Sequence, residues 1–148
     1  MQNKAIILDI DGVLLDSSKV LFEIYDLKLK GDEMWDYFYK YCNNPEKVPL
    51  IKSTKDFINL LDKGTYIILS TARNEKCRRE TEARLKLEQI PYTFLYMRKE
   101  VDLRPSPAVK KDHLHEIAKK FNIITFIDDD LLNCQMAKAE GILSFRKV

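Results

Sequence analysis

Five short apolar runs divide the sequence, and stretches with helical patterns separate them. The runs occupy residues 5–8, 66–69, 93–97, 123–127 and 142–145. Such runs, bounded by glycine, proline or acidic residues, are typical of strands that are buried on both faces of a sheet. Because strands and helices alternate, the sequence predicts the α/β class, in which helices cover both faces of a parallel sheet.

Three segments between the strands have patterns that are typical of helices. Ser53, with Asp56 three residues later, resembles a capping box at the start of a helix. Ser106 followed by Pro107 is a good pair of N-cap residue and first helical residue. The highly charged residues 74–87 predict a further helix with one solvated face.

The connection between the first two strands is unusually long. About 50 residues separate them, and a single helix does not use them all. We therefore predict that residues 14–48 form a small helical cap inserted into a single domain, residues 1–148. This cap segment is rich in aromatic residues, which are expected to pack it onto the core: Phe22, Tyr25, Trp35, Tyr37, Phe38, Tyr39 and Tyr41.

Charge, cysteine content and hydropathy exclude several classes of protein. The formal charge of +2 is too small to indicate a dedicated nucleic-acid-binding protein. Cys42, Cys77 and Cys134 form no Cys-x-x-Cys pair, so we expect free thiols in a reducing compartment. No apolar run is long enough for a membrane span or a signal peptide. A cytoplasmic protein is expected, with no membrane contact and no obligatory protein partner.

Polar residues follow three of the apolar runs. They are Asp-Ile-Asp-Gly at residues 9–12, Ser-Thr-Ala-Arg at residues 70–73 and three aspartates at residues 128–130. In a parallel sheet the carboxyl ends of the strands lie at one edge, where open α/β folds bind ligands. Each pattern alone also occurs in ordinary turns, helix caps and solvated loops. Their expected convergence at one edge is what predicts a functional site.

The acidic residues suit phosphoryl transfer. Asp9 at a strand end could attack a phosphoryl group and form an acyl phosphate. Asp11 could act as general acid and then as general base, and Gly12 permits the sharp turn between them. Several carboxylates beside a phosphate require a cation. Mg²⁺ could take oxygen ligands from Asp9, the main-chain carbonyl of Asp11 and one of the aspartates at residues 128–130.

A hydroxyl group and an ammonium group would complete the phosphate site by offsetting its negative charge. Thr71 or Ser70 offers the hydroxyl group. Lys110 or Lys111, near the start of the helix that follows Pro107, offers the ammonium group. The residues alone leave both choices open.

At these residues the chain resembles the haloacid dehalogenase (HAD) superfamily. Four motifs carry the resemblance, in the superfamily's order: Ile-Leu-Asp-Ile-Asp-Gly-Val-Leu at residues 7–14, Thr-Ala-Arg at 71–73, Val-Lys at 109–110 and Ile-Asp-Asp at 127–129. The resemblance implies a Rossmannoid three-layer fold with about five strands in the order 3-2-1-4-5. It also implies that Thr71 binds phosphate, that Lys110 is the motif lysine, and that Asp129 touches the metal with support from Asp128.

Within the superfamily, Asp11 favours phosphatases and phosphotransferases, because the dehalogenases lack this second aspartate. The chain is most similar to the phosphatase domain of polynucleotide kinase–phosphatases. That resemblance implies that Arg73, Arg98 and Arg104 help to hold a nucleic-acid end, as arginine pairs with phosphate in a bidentate manner. None of the four glycines begins a Gly-x-x-x-x-Gly-Lys phosphate loop, so no kinase half is expected.

The sequence therefore predicts a Mg²⁺-dependent phosphatase that works through a phospho-aspartate. Its expected substrate is a polynucleotide 3′-phosphate or a nucleotide. The alternative is a small-metabolite phosphatase for a sugar phosphate or nucleoside monophosphate. A receiver-type signalling domain is a third hypothesis, but its phosphoacceptor would follow the third strand, where Arg98, Lys99 and Glu100 stand.

Overall fold

A computed structural model describes residues 2–148 of the chain, so Met1 of the expected domain lies outside the described residues. Five strands form one parallel sheet in the order β3-β2-β1-β4-β5. The strands are β1 (Asn3–Leu8), β2 (Tyr66–Asn74), β3 (Phe94–Arg98), β4 (Phe121–Asp128) and β5 (Ser144–Arg146). Both the α/β class and the strand order predicted from the sequence are confirmed.

Six α-helices and one short 3₁₀ helix, Glu75–Cys77, accompany the sheet within residues 2–148. The α-helices are α1 (Ser18–Asp26), α2 (Gly31–Tyr41), α3 (Lys52–Leu60), α4 (Arg78–Leu87), α5 (Ser106–Ala118) and α6 (Leu131–Ala139). Helices α1 and α2 occupy the cap segment. No helix within residues 2–148 has the length and apolar character needed to cross a membrane.

Strand β2 continues beyond its apolar run. It includes Ser70 and Thr71 and reaches Asn74, which pairs with Arg98 of β3 after a shift in register. The predicted polar cluster is therefore part of the strand and not a loop that follows it. Because successive side chains of a strand point to opposite faces, Ser70 and Thr71 are expected on different sides of the sheet.

Helix starts differ from the sequence predictions. The predicted capping box is wrong, because α3 begins at Lys52 after Ile51 and has no side-chain cap. Ser106 is the first residue of α5, and Pro105 stands at the N-cap position. The expected helix over residues 74–87 is interrupted, since Asn74 ends β2 and the 3₁₀ helix precedes α4.

Residues of β1, β2, β3 and β4 build two apolar clusters, one on each face of the sheet. On β1, Ile7 belongs to the cluster that also contains Ile117 of α5. Leu8 belongs to the other cluster, which includes Val20 of α1 and Phe38 of α2. The cap helices therefore share an apolar core with the sheet, and they lie on one side of it.

Candidate active site

The ends of β1, β2 and β4 meet at a single cleft of about 1060 Å³. The backbone N–H of Asp9, directly after β1, donates to the carbonyl of Ile127 in β4 at 3.0 Å. This bond fixes the first aspartate beside the acidic run that ends β4. Eight of the predicted site residues line the cleft: Asp9, Asp11, Thr71, Arg73, Arg98, Arg104, Lys110 and Asp129.

Lys110 is a buried cation between two carboxylates. Its Nζ lies 2.9 Å from Oδ1 of Asp9 and 2.5 Å from Oδ2 of Asp128. Burial alone would lower the pKa of Lys110, but the two carboxylates raise it above its usual value. The ammonium group is therefore charged at neutral pH and holds the ends of β1 and β4 together.

Asp128 is fully buried and is surrounded by donors. Besides Lys110, it accepts a bond from Nδ2 of Asn133 at 3.2 Å and one from the backbone N–H of Asp130 at 2.9 Å. These bonds hold the side chain that Lys110 contacts. Asn133 was not predicted from the sequence, because nothing in the local pattern distinguishes it from other polar residues of α6.

Three carboxylates form a compact acidic group. Asp9, Asp128 and Asp129 each place one oxygen within 4.8 Å of the other two. Burial raises the pKa of Asp9 well above its ordinary value, and Asp128 and Asp11 add to this effect while Lys110 opposes it. Burial and the charge of Asp128 also raise the pKa of Asp129. Such a set of crowded, oxygen-only donors fits a hard divalent cation.

The turn that follows Asp9 lies against Asp129. Gly12 has φ +82°, a conformation that residues with a side chain rarely adopt. A Cβ atom at this position would come within 2.1 Å of Oδ2 of Asp129. Glycine therefore meets two requirements here, one for the backbone and one for the space that the Asp129 carboxylate occupies.

Asp11 is held by Arg73 and lies outside the three-carboxylate group. Nη2 of Arg73 donates to its Oδ1 at 2.7 Å, and Nε donates to its Oδ2 at 2.9 Å. The hydroxyl of Ser17 donates to Oδ1 at 2.5 Å. Burial would raise the pKa of Asp11, but Arg73 and Ser17 hold it below its usual value. Asp11 is therefore ionised at neutral pH.

All five donor positions of Arg73 are used within the chain. Beyond the two bonds to Asp11, Nη1 donates to Oδ1 of Asn43 at 2.6 Å and to Oγ1 of Thr81 at 3.3 Å. Nη2 also donates to the carbonyl of Cys42 at 3.0 Å. Arg73 thus links β2, α4 and the cap segment. This geometry leaves no donor for the nucleic-acid end that the resemblance assigned to it.

The structure separates the two hydroxyl candidates. Thr71 lines the cleft, and its Oγ1 accepts a bond from the backbone N–H of Arg73 at 3.1 Å. Ser70 is buried elsewhere, with its Oγ 2.8 Å from Nδ1 of His113. Burial lowers the pKa of His113 to about 4. The neutral ring donates through Nε2 to the carbonyl of Met97 and accepts from Ser70.

The remaining cationic candidates lie further out. Lys111 is half exposed and pairs with Glu140 at 3.2 Å, so it is not at the cleft. Arg98 lines the cleft and donates to the carbonyls of Ala72 and Arg104, which shapes the loop before α5. Arg104 lines it too, but it pairs with Asp102 and Asp112.

One family model matches nearly the whole chain. The model, described as the polynucleotide kinase PNKP phosphatase domain, matches residues 3–146. No curated protein matches the sequence significantly. A chain in a solved structure of a Pnkp1/Rnl/Hen1 complex is similar, with a TM-score of 0.75 and 24% identity. The match covers 98% of the present chain but only 46% of that one.

Two further solved structures share the fold. A class C acid phosphatase from Bacillus anthracis, solved with tungstate bound, has a TM-score of 0.69 at 16% identity, and the match covers 99% of the present chain and 68% of that chain. A haloacid dehalogenase-like hydrolase from Streptococcus pneumoniae has a TM-score of 0.66 at 16% identity, with coverage of 96% and 83%. At such identities the likeness concerns the fold.

Proposed function

Because the chain belongs to the family of polynucleotide kinase PNKP phosphatase domains, and is therefore a HAD-type phosphoric monoester hydrolase, we propose that it is a Mg²⁺-dependent nucleotide 3′-phosphatase. The substrate would carry its 3′-phosphate on a free nucleotide or on the end of a polynucleotide. Asp9 would be the nucleophile and would be transiently phosphorylated.

The observation that carries this proposal is the position of Lys110. Its ammonium group lies against Asp9 and Asp128, and both carboxylates face Asp129 within the same acidic group. The cluster lies in the cleft that Thr71 also lines. A nucleophilic carboxylate, a hydroxyl group and a fixed cation in one cleft are the parts that phosphoryl transfer requires.

In the first step an oxygen of Asp9 would attack phosphorus, and the bond from phosphorus to the leaving oxygen would break. Oδ1 of Asp9 already accepts bonds from Lys110 at 2.9 Å and from the backbone N–H of Ile10 at 2.8 Å. The other oxygen, Oδ2, would therefore form the acyl phosphate. Thr71 would donate a hydrogen bond to a phosphate oxygen. Lys110 would offset part of the negative charge of the phosphate and of the carboxylates around it.

In the second step a water molecule would attack phosphorus and release free Asp9. Asp11, ionised by its contacts with Arg73 and Ser17, is suited to take the proton of that water. In the first step the proton that the leaving oxygen takes would come from a monoprotonated phosphate group and would pass through Asp11, which is ionised in the free protein. The bidentate bonds from Arg73 would position the carboxylate for both transfers.

The donor set fits Mg²⁺. Asp9, Asp129 and the main-chain carbonyl of Asp11 would hold the ion, and Asp128 would support it through Lys110. When bound, the ion would supply positive charge that offsets the repulsion between these carboxylates and a phosphate dianion. Because Gly12 has no Cβ atom, the Asp129 carboxylate has room to lie beside it.

A substrate panel tests the proposed function. The purified protein is incubated with Mg²⁺ and a 3′-phosphorylated oligonucleotide, a set of mononucleotides or a set of sugar phosphates, and released phosphate is measured. We expect wild type to release phosphate from the 3′-phosphorylated nucleotides. The Asp9→Asn variant should release none from any substrate. Turnover of sugar phosphates alone would contradict the nucleotide proposal and favour a metabolite phosphatase. A stable phosphoprotein without turnover would contradict both.

A further inference from the structure

Three aromatic residues of α2 line the same cleft as Asp9 and Asp129. We call Trp35, Phe38 and Tyr39 the aromatic platform. The Trp35 ring stacks on Tyr39, with centroids 6.1 Å apart and planes 27° apart, and it contacts Phe38 edge-on at 6.3 Å. Trp35 is nevertheless 51% exposed. About half of the Trp35 side chain therefore remains open at the cleft.

The aromatic platform is fixed relative to the reacting groups. The Tyr39 hydroxyl accepts a bond from the backbone N–H of Asn74 at 3.0 Å. The Phe38 ring centroid lies 6.0 Å from Cζ of Arg73, the residue that holds Asp11. Asn74 and Arg73 follow Thr71 in β2, so one strand positions the platform, the candidate acid/base and the phosphate-binding hydroxyl.

A second apolar side chain lines the same cleft. Leu103 is 92% exposed and belongs to the loop between β3 and α5. Arg98 donates to the carbonyls of Asp102 and Arg104 on either side of it. The loop is therefore held in shape while its leucine stays open. Together with Trp35, it gives the outer cleft an apolar character that suits a flat ring.

The exposed charges of the outer cleft are mostly negative. Asp32 and Asp36 of α2, Glu80 of α4 and Glu100 line it and are exposed, and within residues 2–148 none of them forms an ion pair. Lys76 and Arg104 are exposed cations on the same lining, but Arg104 is paired with Asp102 and Asp112. Proteins that bind a polynucleotide along its backbone neutralise its phosphates with lysine and arginine. This lining would repel additional phosphates.

We propose that the cleft recognises a single nucleotide, with its 3′-phosphate at Asp9 and its base against Trp35, and that the acidic lining disfavours longer strands. This inference rests on the proposed phosphatase function. It assigns to the platform a preference for substrates that carry a base, with no preference among the bases, since every base can stack on an aromatic ring. Asp32 and Asp36 limit the length of the strand, because they repel the phosphates that precede the terminal nucleotide.

The first test removes the stacking surface. For Trp35→Ala, kcat/KM is measured on a nucleoside 3′-monophosphate and on glycerol phosphate, which has no ring. We expect the ratio of the two values to fall roughly tenfold. The matched control is Tyr25→Ala, which removes an 82% exposed ring on α1 that does not line the cleft. An unchanged ratio in Trp35→Ala, or an equal fall in Tyr25→Ala, would overturn the proposed stacking.

The second test varies strand length and charge. We compare a nucleoside 3′-monophosphate with a 3′-phosphorylated single strand of about ten nucleotides that has the same terminal base. Wild type is expected to have a several-fold lower kcat/KM on the strand. The ratio of strand to mononucleotide should rise with added NaCl and in the double variant Asp32→Asn/Asp36→Asn. The control, Asp26→Asn/Glu46→Gln, makes the same change of charge outside the cleft lining and should leave the ratio unchanged.

The outcomes separate the two proposals. A strand that is turned over better than the mononucleotide, with kcat/KM falling as salt rises, would overturn the single-nucleotide inference while the phosphatase function stands. An equal rise of the ratio in the control double variant would overturn it as well. Failure to release phosphate from the strand, the mononucleotide and glycerol phosphate alike would contradict the proposed function itself.

Discussion

Two adjacent lysines, Lys110 and Lys111, have opposite environments. Nζ of Lys110 contacts Asp9 and Asp128 in the interior, whereas Lys111 reaches Glu140 at the surface. Neighbouring residues of an α-helix point about 100° apart, so only one of the two could face the sheet. The residues alone left this choice open because α5 has no strong apolar stripe near its start, and the family resemblance indicated Lys110. The burial of the helix against β4 decides it.

Replacing Lys110 by methionine should destabilise the fold. The change leaves Asp9 and Asp128 buried beside Asp129 without a compensating charge, which costs about 3 kcal/mol or more for a broken buried pair. Urea denaturation measures the loss in the free energy of unfolding. Lys111→Met is the matched control and should change it by less than about 0.5 kcal/mol. Similar losses in both variants would contradict the assignment of Lys110.

Replacing Asp9 by asparagine should abolish turnover and preserve the fold. The amide has the same shape but is a far poorer nucleophile, so we expect kcat to fall more than about a thousandfold. Phosphate release measures activity, and circular dichroism verifies the fold. Asp26→Asn on the exposed surface of α1 serves as control. Residual activity in Asp9→Asn within about tenfold of wild type would exclude Asp9 as the nucleophile.

At the scale of elements, the turn after β1 depends on the end of β4. Gly12→Ala would force a side chain into a backbone with φ +82° and place its Cβ 2.1 Å from Oδ2 of Asp129. Gly141→Ala is a matched control, because Gly141 has φ +79° and nothing within 4 Å. Each change should lower the free energy of unfolding by about 1 kcal/mol, because alanine is strained at a positive φ.

The two glycine variants should differ in activity. Gly12→Ala must also displace the Asp129 carboxylate, so its phosphate release should fall and its requirement for Mg²⁺ should shift to higher concentration. Gly141→Ala should keep the wild-type Mg²⁺ dependence. A titration of activity against Mg²⁺ compares the two. Equal curves for both variants would show that the space beside Gly12 does not position Asp129.

Arg73 connects three elements, and its contribution to stability should depend on pH. The pKa of Asp11 in the folded chain is lowered despite burial, because Arg73 pairs with it. A lowered pKa stabilises the fold above the unfolded value, and the effect is lost as pH falls through the folded value. Arg73→Met should therefore cost more stability at pH 7 than at about pH 3. Urea denaturation of wild type and Arg73→Met at the two pH values measures the loss in the free energy of unfolding. An equal loss at both pH values would contradict the prediction.

The order of strands and helices along the chain could be predicted because each strand carries its own apolar run, and polar residues follow three of these runs. The residues alone left the choice between Ser70 and Thr71 open, since it depends on β2 continuing to Asn74 and pairing with Arg98 of β3. Only the family resemblance indicated Thr71. The bonds of Arg73 to Asn43 and to the Cys42 carbonyl were also beyond prediction. They join positions about 30 residues apart in sequence, and no local pattern marks either partner.

At the scale of the whole molecule, the acidic group exists only in the folded chain. Asp9 and Asp129 lie 120 positions apart in the sequence and meet because β1 and β4 are neighbours in the sheet. A cation held by both binds the folded state and not the unfolded chain, so it stabilises folding by mass action. Activity and stability should therefore respond to Mg²⁺ together.

Chelation should test this coupling. EDTA should stop phosphate release and lower the Tm of wild type, and excess Mg²⁺ should restore both, since a ligand at about a hundred times its Kd adds about 2.7 kcal/mol. Asp129→Asn should lose the Mg²⁺-dependent rise in Tm. Asp130→Asn is the control, because asparagine can still cap α6 where Asp130 accepts the N–H groups of Leu132 and Asn133. Activity that is insensitive to EDTA, or an unchanged Mg²⁺ response in Asp129→Asn, would contradict the metal site.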